Sequence, residues 1–176
     1  MECKVSKKEI KPFMSFGKMP LANGFLEKKS FNKEFFYEME VGFSEKFSLF
    51  QLNDHPKPEK MFNETYPFYT GSSEVMKKHF KNYANWINKF FGSAPSKLIE
   101  IGSNDGVMLE HLVNNGIKCL GVEPSLNVAE VSHQYGVETI NEFISVDTAH
   151  KISNSHGYAN VVYAANVFCH IPDITI

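Results

Sequence analysis

The clearest structural signal in the chain is Lys97-Leu-Ile-Glu-Ile-Gly-Ser-Asn-Asp-Gly106. Its apolar first half has the length of a short buried strand, and the polar residues and glycines that follow indicate a sharp turn. A helical pattern over 105–115 continues from the turn, and Gly116 ends that helix. Together these features predict a strand, a turn and a helix, which is the repeating unit of an α/β domain.

The residues downstream repeat this unit. Further strands are predicted over 117–123, 137–140 and 160–166, and a helix is predicted over 126–135. Strands that alternate with helices of this length imply right-handed crossovers and a parallel sheet. The sequence therefore predicts an α/β fold in which a parallel sheet carries flanking helices.

A long helix is predicted upstream of the first strand. Over 73–91, apolar side chains recur at helical spacing, and lysines and asparagines fill the other face. Ser72 or Ser73 can cap the start of this helix, and Gly92 and Pro95 stop it.

Three regions are expected along the chain. Residues 1–60 form a small, irregular or β-rich N-terminal domain, 61–96 a connecting segment with the long helix, and 97–176 the parallel-sheet region. A small hairpin or meander is predicted over 34–52. Most of the 16 phenylalanines precede residue 92, which predicts a separate apolar core for the N-terminal part.

Composition excludes several classes of partner. The chain has 176 residues, with 20 acidic and 18 basic side chains, and every basic one is lysine. A net charge of −2 leaves no electrostatic footprint for nucleic acid, and the lack of arginine removes bidentate phosphate clamps. No apolar run reaches the ~20 residues that span a bilayer. Three widely spaced cysteines fit a reducing compartment, so we expect a cytoplasmic protein with no nucleic-acid or membrane partner.

The turn after the first strand has the features of a nucleoside site. Gly102 and Gly106 permit a tight turn and the close approach of a ligand to the backbone. Glu123 ends the second strand about 20 residues later, where a carboxylate can accept hydrogen bonds from both ribose hydroxyls. A plain strand-to-helix turn and a surface carboxylate are the structural alternatives.

Charge indicates which nucleoside suits this turn. The dinucleotide pattern G-x-G-x-x-G fails, because Asn104 holds its middle position and Val107 its last. Glu100 and Asp105 would repel a pyrophosphate, whereas they favour a cationic ligand. S-adenosylmethionine carries a sulfonium and an ammonium group and no phosphate, and Glu100 is the natural partner for the ammonium. An NAD-binding Rossmann enzyme stays open as the less favoured alternative.

Several segments, in order along the chain, carry a family resemblance. They are Gly17–Leu26, Phe50–Leu52, Tyr66–Ser73, Glu100–Gly106, Gly121–Ser125 and Asn166–Asp173. In them the chain resembles the class I S-adenosylmethionine-dependent methyltransferases, and more narrowly the sugar C-methyltransferases that act on nucleotide-linked 4-keto-deoxysugars. The resemblance implies a small zinc-binding N-terminal domain, a Rossmann-like methyltransferase domain and a further C-terminal domain. This chain would cover the first and about half of the second.

The resemblance also implies which residues serve the cofactor and catalysis. Those expected at S-adenosylmethionine are Glu100, Gly102, Asn104, Gly106, Glu123, Pro124, Asn166 and Ser73. His170 and Tyr66 are the expected catalytic residues, since a histidine past a strand end can act as acid or base near neutral pH and a phenol can hydrogen-bond. The structural alternatives are loop folding for His170, core packing for Tyr66 and a strand-end cap for Asn166.

The zinc ligands that the resemblance implies are largely missing. Family members hold zinc with two Cys-x-x-Cys pairs, and here the four positions fall on Cys3, Ser6, Ser44 and Phe47. A structural zinc site needs four ligands in a closed tetrahedron, which one cysteine cannot provide. We therefore expect no zinc, and we expect phenylalanines to supply the core that the metal would otherwise organise.

The reaction that the resemblance implies is methyl transfer from S-adenosylmethionine to a carbon of a nucleotide-linked keto-sugar. A non-catalytic module that binds S-adenosylmethionine, or regulates through it, is the alternative. The fourth predicted strand lies close to the end of the sequence and would leave one side of a parallel strand unpaired. We therefore expect a truncated form of a longer protein, or a homo-oligomer or other partner that covers this edge.

Overall fold

The computed structural model describes residues 1–92, 97–171 and 174. The chain divides into two compact units. The first comprises Met1–Met61 and the described residues from His170 onward, and the second comprises Phe62–Cys169. Within the described residues, no helix is long and apolar enough to cross a membrane.

The first unit is built on a three-stranded antiparallel sheet of order β1-β2-β3. Its strands are β1 (Pro12–Pro20), β2 (Phe36–Ser44) and β3 (Leu49–Leu52), and a short helix, α1 (Pro58–Met61), follows. The hairpin predicted over 34–52 is confirmed as β2 and β3. Strand β1 agrees with the irregular or β-rich N-terminal domain that the sequence predicts, although no strand was predicted at this position. Proline at both ends of β1 suits its place at the sheet edge, where the missing N–H groups cost no ladder bond.

The phenylalanine core expected for this unit is wrong. The side chains of Phe13, Phe25 and Phe50 are 68%, 80% and 58% exposed. The apolar side chains that are buried in the described part of the unit are Cys3, Val41 and Pro56. A unit of roughly 60 residues buries a smaller share of its surface than a larger domain does, so its large side chains remain outside.

The second unit contains a parallel four-stranded sheet of order β6-β5-β4-β7. Its strands are β4 (Lys97–Ile101), β5 (Lys118–Val122), β6 (Glu138–Ile140) and β7 (Val161–Ala164). Its helices are α2 (Glu74–Phe91), α3 (Leu109–Val113), α4 (Leu126–Gln134) and α5 (Val146–His156). The predicted fold class is confirmed: this is a partial Rossmann-like arrangement preceded by a small β unit.

Helix α2 matches the sequence prediction closely. The hydroxyl of Ser73 caps it by accepting the N–H of Met76, and Gly92 ends it with φ +65°. The predicted stop at Pro95 lies outside the described residues. The helix packs its apolar stripe on one face of the sheet, in a core whose members include Phe80, Ala84, Ile87, Leu98, Met108 and Leu112.

Helix α5 covers the other face of the sheet. Ile152 of α5 packs with Ile99, Leu120 and Val122, which alternate along their strands with residues of the first core. The sequence prediction missed this helix. Its local signal is present, because Ser145 caps it by accepting the N–H of Thr148 at 3.1 Å.

Helix α3 is shorter than predicted. The pattern over 105–115 suggested a helix, whereas α3 spans only Leu109–Val113. Asn104 and Gly106 both have positive φ, +50° and +75°, which interrupts helical geometry at the start of the segment. The residues before α3 therefore form a tight bend, which lies at the carboxyl end of β4.

Candidate functional site

The carboxyl ends of β4 and β5 bring the two predicted parts of the site together. Ile101 and Val122 are register partners at the ends of these neighbouring parallel strands. Directly beyond them, the N–H of Asn104 donates to Oε2 of Glu123 at 3.0 Å. The glycine-rich bend and the acidic strand end therefore meet, as expected for residues at the same edge of a parallel sheet.

The bend needs its glycines. Gly102 has φ +67°, and a Cβ added there would lie 2.4 Å from Cγ2 of Val167. Gly106 has φ +75°, and a Cβ there would lie 2.7 Å from Cβ of Ser132. Both positions combine a left-handed backbone with close packing, so larger residues would displace the bend.

Three carboxylates are buried around the bend. Glu100, Asp105 and Glu123 are 4%, 3% and 5% exposed. Burial raises the pKa of each of them, and the pKa of Glu100 lies well above its ordinary value because the charges of the other two add to the effect of burial. Within the described residues, the buried Oε2 of Glu100 accepts no hydrogen bond. The site therefore concentrates carboxyl groups whose ionised forms a cationic ligand would stabilise.

Glu123 retains capacity for a ligand. Its Oε1 accepts the N–H of Ser125 at 2.8 Å, and its Oε2 accepts the N–H of Asn104. A carboxylate offers about four lone-pair sites, so both oxygens can accept a further hydrogen bond. The turn that carries Glu123 is held by Asn141, whose Nδ2 donates to the carbonyl oxygens of Glu123 and Pro124, each at 2.8 Å.

Tyr66 lies in the same region. Burial and the negative charge of Glu123 raise the pKa of the Tyr66 phenol, so it keeps its proton at neutral pH. Nδ2 of Asn127 donates to the carbonyl oxygen of Tyr66 at 2.7 Å and to the hydroxyl oxygen of Tyr69 at 2.8 Å. Sequence reasoning missed Asn127, although a polar residue in the first turn of the helix after Glu123 was a usable signal.

The remaining predicted residues have other local surroundings. Ser73 caps α2, as described above, and its proposed contact with a cofactor stays a prediction. Asn166 follows β7 with φ +55°, and its carbonyl oxygen accepts the Cys169 thiol at 3.6 Å. His170 ends a short 3-10 helix and belongs to the first compact unit, as does His55, whose pKa is lowered mainly by burial. The catalytic role of His170 stays a prediction.

A cavity of about 320 Å³ lies at the opposite, amino edge of the sheet. Its polar groups largely satisfy one another. Nζ of Lys97 donates to the carbonyl oxygens of His156 and Gly157, and Nε2 of His156 lies 2.9 Å from Oε1 of Glu138. This pairing contrasts with Oε2 of Glu100, which has no hydrogen-bond partner among the described residues, so the carboxyl edge is the better candidate site.

The residues near Cys3 do not fit a zinc ion. The hydroxyls of Ser44 and Ser6 hydrogen-bond the Cys3 thiol and lower its pKa to about 6. These three positions of the expected ligand set do meet, but two of them carry serine hydroxyls, which structural zinc sites do not use. Phe47, at the fourth position, is 41% exposed. Within the described residues, no three His, Cys, Asp or Glu side chains gather as a metal site.

Two family models match the chain. A model described as "Methyltransferase domain" matches residues 76–176, and one described as "Putative zinc binding domain" matches residues 3–62. The second match covers the unit whose Cys3 cluster lacks the necessary ligands.

One curated relative is the C-methyltransferase NovU of Streptomyces niveus. It is 29% identical to this chain over 163 residues, which make up 92% of this chain and 39% of the relative. The chain thus spans about two fifths of the length of that protein.

Two solved structures illustrate the structural likeness. The plantazolicin methyltransferase BpumL in complex with SAH matches with a TM-score of 0.40 and 16% identity, over 53% of this chain and 36% of that chain. Magnesium protoporphyrin IX methyltransferase (ChlM) from Synechocystis PCC 6803 with bound SAM matches with a TM-score of 0.43 and 12% identity, over 55% and 47%.

Proposed function

The chain belongs to the methyltransferase domain family, and from that membership we propose that it binds S-adenosylmethionine at the carboxyl edge of its parallel sheet. The observation that carries this proposal is the cluster of three buried carboxylates at the bend, with Oε2 of Glu100 unpaired among the described residues. A buried carboxylate without a partner is costly, and a cationic ligand would remove that cost.

The residues present fit the groups of this cofactor. Glu100 would accept hydrogen bonds from the ammonium, and Glu123 would accept them from the ribose hydroxyls through its free lone pairs. Gly102 and Gly106 would give the bend its shape, because their left-handed backbone and close packing leave no room for a Cβ. When bound, S-adenosylmethionine supplies a methyl group activated by the sulfonium, and the protein supplies position and the exclusion of water.

The bend is poorly suited to a pyrophosphate, which argues against NAD. The N–H groups of Gly102 and Ser103 both donate to the carbonyl oxygen of Val122, at 2.7 and 3.3 Å. The N–H of Asn104 is directed to the Glu123 carboxylate. These donors would otherwise be the ones to cradle phosphate oxygens. With the donors occupied and carboxylates nearby, a dinucleotide would meet repulsion without compensation.

We propose further that the acceptor is a carbon atom of a nucleotide-linked keto-sugar. The likeness to the C-methyltransferase NovU and the motifs shared with sugar C-methyltransferases support this acceptor class. Methylation at carbon requires removal of a proton beside a keto group, which is a task for a general base. His170 is the candidate base, because the raised pKa of Tyr66 leaves that phenol protonated and suited to donate a hydrogen bond.

Binding of S-adenosylhomocysteine and NAD, measured by isothermal titration calorimetry, tests the cofactor. We expect S-adenosylhomocysteine to bind and NAD not to bind. The variant Glu100→Gln should weaken binding of S-adenosylmethionine at least tenfold, whereas Glu130→Gln, an exposed position on α4, should leave it unchanged. Equal or tighter binding of NAD would overturn the proposal.

Turnover tests the acceptor. The chain is incubated with S-adenosylmethionine and a nucleotide-linked 4-keto-deoxysugar, and the gain of one methyl group on carbon is followed by mass spectrometry and NMR. Methyl transfer supports the proposed reaction. Tight cofactor binding without turnover favours a non-catalytic S-adenosylmethionine module or a segment of the enzyme that is inactive by itself.

A further inference from the structure

Residues 66–71, which we name the aromatic strap, lie against the bend and are held there by side chains from elsewhere in the second unit. Asn104 makes two of these contacts: its Oδ1 accepts the N–H of Thr70 at 2.8 Å, and its Nδ2 donates to the carbonyl oxygen of Phe68 at 3.0 Å. One amide therefore satisfies a donor and an acceptor of the strap backbone, much as a neighbouring strand would.

Asp105 and Asn127 hold the two ends of the strap. Oδ2 of Asp105 accepts the N–H of Gly71 at 2.7 Å. Nδ2 of Asn127 holds the other end through Tyr66 and Tyr69, as described above. The strap is therefore fixed at both ends and in the middle.

The fit between strap and bend is close. A Cβ added at Gly71 would lie 3.0 Å from Oδ2 of Asp105, so the approach depends on glycine. Burial raises the pKa of Asp105, while the N–H of Gly71 acts in the opposite direction by hydrogen-bonding its carboxylate. Part of the cost of burying this carboxylate is thus offset by the strap itself.

These contacts separate the polar side chains of the site into two groups. Asn104 is engaged with the strap through both polar atoms of its amide, and Asp105 through Oδ2, whereas no contact to the strap is made by Glu100 or Glu123 among these hydrogen bonds. Among the described residues, Oε2 of Glu100 and Oδ1 of Asp105 accept no hydrogen bond. Asn104 and Asp105 belong to the bend on which the ligand would lie. Any ligand that orders the bend therefore also orders the residues that hold the strap.

We propose that Asn104, Asp105 and Asn127 form a clamp that couples occupancy of the ligand site to docking of the aromatic strap, and that they are positioning residues for Tyr66. The coupling to S-adenosylmethionine rests on the proposed function. If the ligand binds more tightly when the strap is docked, substitutions that loosen the clamp must lower the affinity for the ligand. By reciprocity, the bound ligand must stabilise the docked strap.

The test uses two clamp variants and one control. Asn104→Gly removes the side-chain contacts but keeps a residue that tolerates φ +50°, so the bend is retained. Asn127→Ala removes the contacts at the Tyr66 end from a helical position that favours alanine. Asn154→Ala changes an exposed asparagine on α5 and serves as the control.

Amide hydrogen exchange by NMR reports on the clamp without any ligand. We expect the amide of Thr70 to exchange at least tenfold faster in Asn104→Gly than in the wild type and the control, with an unchanged melting temperature. Unchanged exchange of the Thr70 amide in Asn104→Gly would overturn the clamp.

Binding of S-adenosylhomocysteine reports on the coupling. We expect it to slow exchange at Thr70 and Gly71 in the wild type, and we expect its dissociation constant to rise five- to fiftyfold in both clamp variants but not in the control. A purely structural role would not produce a ligand-dependent change at these amides. Faster exchange with an unchanged dissociation constant would overturn the coupling. If the wild type does not bind S-adenosylhomocysteine, both the proposed function and the coupling are overturned. The exchange measured without ligand would still show whether the clamp holds the strap.

Discussion

At the scale of single residues, the candidate site is characterised by two buried carboxyl groups, those of Glu100 and Glu123, which differ in their hydrogen-bond partners. Glu100 is the last residue but one of β4, an inner strand of the parallel sheet, and it is 4% exposed, so its environment disfavours the ionised form. Glu123 is equally deep but has two backbone N–H donors. This difference predicts that the two acids respond differently to pH and to substitution.

Glu100 should make the stability of the ligand-free protein depend on pH. Burial, and then the charges of Asp105 and Glu123, raise its pKa well above the ordinary 4.5. Such a carboxyl binds its proton more tightly in the folded state, so it stabilises the fold at low pH, and this contribution is lost as the pH rises from 4.5 through the raised pKa.

We therefore predict that the free energy of unfolding of the wild type, measured by urea titration, falls over this window. Glu100→Gln should show a flatter profile and higher stability at neutral pH, because the neutral amide has no proton to lose. A profile as steep as that of the wild type would contradict this assignment. Some slope should remain, because the pKa values of Asp105 and Glu123 are raised as well.

Substitution of Glu123 should act on the nucleoside rather than on the cation. Glu123→Ala removes the proposed acceptor for the ribose hydroxyls, and we expect it to weaken S-adenosylhomocysteine binding by about 1–3 kcal/mol. Calorimetry compares the ligand affinity of Glu123→Ala with that of the control Glu130→Ala, which changes an exposed acidic residue on α4. Unchanged affinity in Glu123→Ala would remove this residue from the site.

At the scale of elements, the bend after β4 is the feature on which the site depends. It combines left-handed backbone at Gly102 and Gly106 with van der Waals contacts that leave no room for a Cβ. Its carboxyl-edge location follows from the parallel order of the sheet, while its shape follows from the glycines. A change in the bend should therefore affect ligand binding more than a similar change in another turn.

Two glycines allow a matched comparison. Gly102 and Gly116 both have positive φ, +67° and +81°, but an added Cβ meets Val167 only at Gly102 and open space at Gly116. Gly116→Ala should cost about 1–2 kcal/mol from the backbone alone. Gly102→Ala should cost about 1–3 kcal/mol more from overpacking and should impair ligand binding. Chemical denaturation measures the loss of stability in each variant, and calorimetry measures ligand binding. An equal loss of stability in the two variants would show that the bend is not crowded at Gly102.

The antiparallel sheet of the first unit should fold without zinc. Because Cys3 is surrounded by the hydroxyls of Ser6 and Ser44, the donor set for a tetrahedral zinc site is missing. We expect the purified protein to contain far less than one zinc per chain, and we expect a chelator to leave its melting temperature unchanged. Stoichiometric zinc that is removed together with loss of structure would contradict this expectation.

At the scale of the whole molecule, the two units differ in how much apolar surface they bury. Among the described residues, Cys3, Val41 and Pro56 are the buried apolar side chains of the first unit, whereas the second unit contains two apolar clusters on opposite faces of its sheet. Local stability follows buried apolar contacts. The first unit should therefore open more readily than the second.

Native-state hydrogen exchange can measure this difference. We expect the amides of β2 to exchange through openings of lower free energy than those of β4, which is the central strand of the parallel sheet. Equal protection of the two strands would mean that the units open together, as a single cooperative block.

Local features of the sequence determined much of this protein. The apolar run before Gly102 predicted the parallel sheet, and the helical stripe ended by Gly92 predicted helix α2. Together with the acid at Glu123, the run also indicated the sheet edge that carries the candidate site. These features are local because strand length, helical period and positive φ depend on neighbouring residues. The same reasoning failed at the start of α3, where the positive φ values of Asn104 and Gly106 interrupt the predicted helix.

Only the tertiary structure decided the remaining features. Asn104 and Thr70 are 34 positions apart, and Asn127 and Tyr66 are 61 apart, so no local pattern links them. The exposure of Phe13 and Phe25 likewise depends on how little surface a small sheet can cover. Periodicity shows which side of an element is apolar, but the packing of distant segments determines what that side contacts. The same packing determines the contacts of the clamp with the strap and the burial of Glu100.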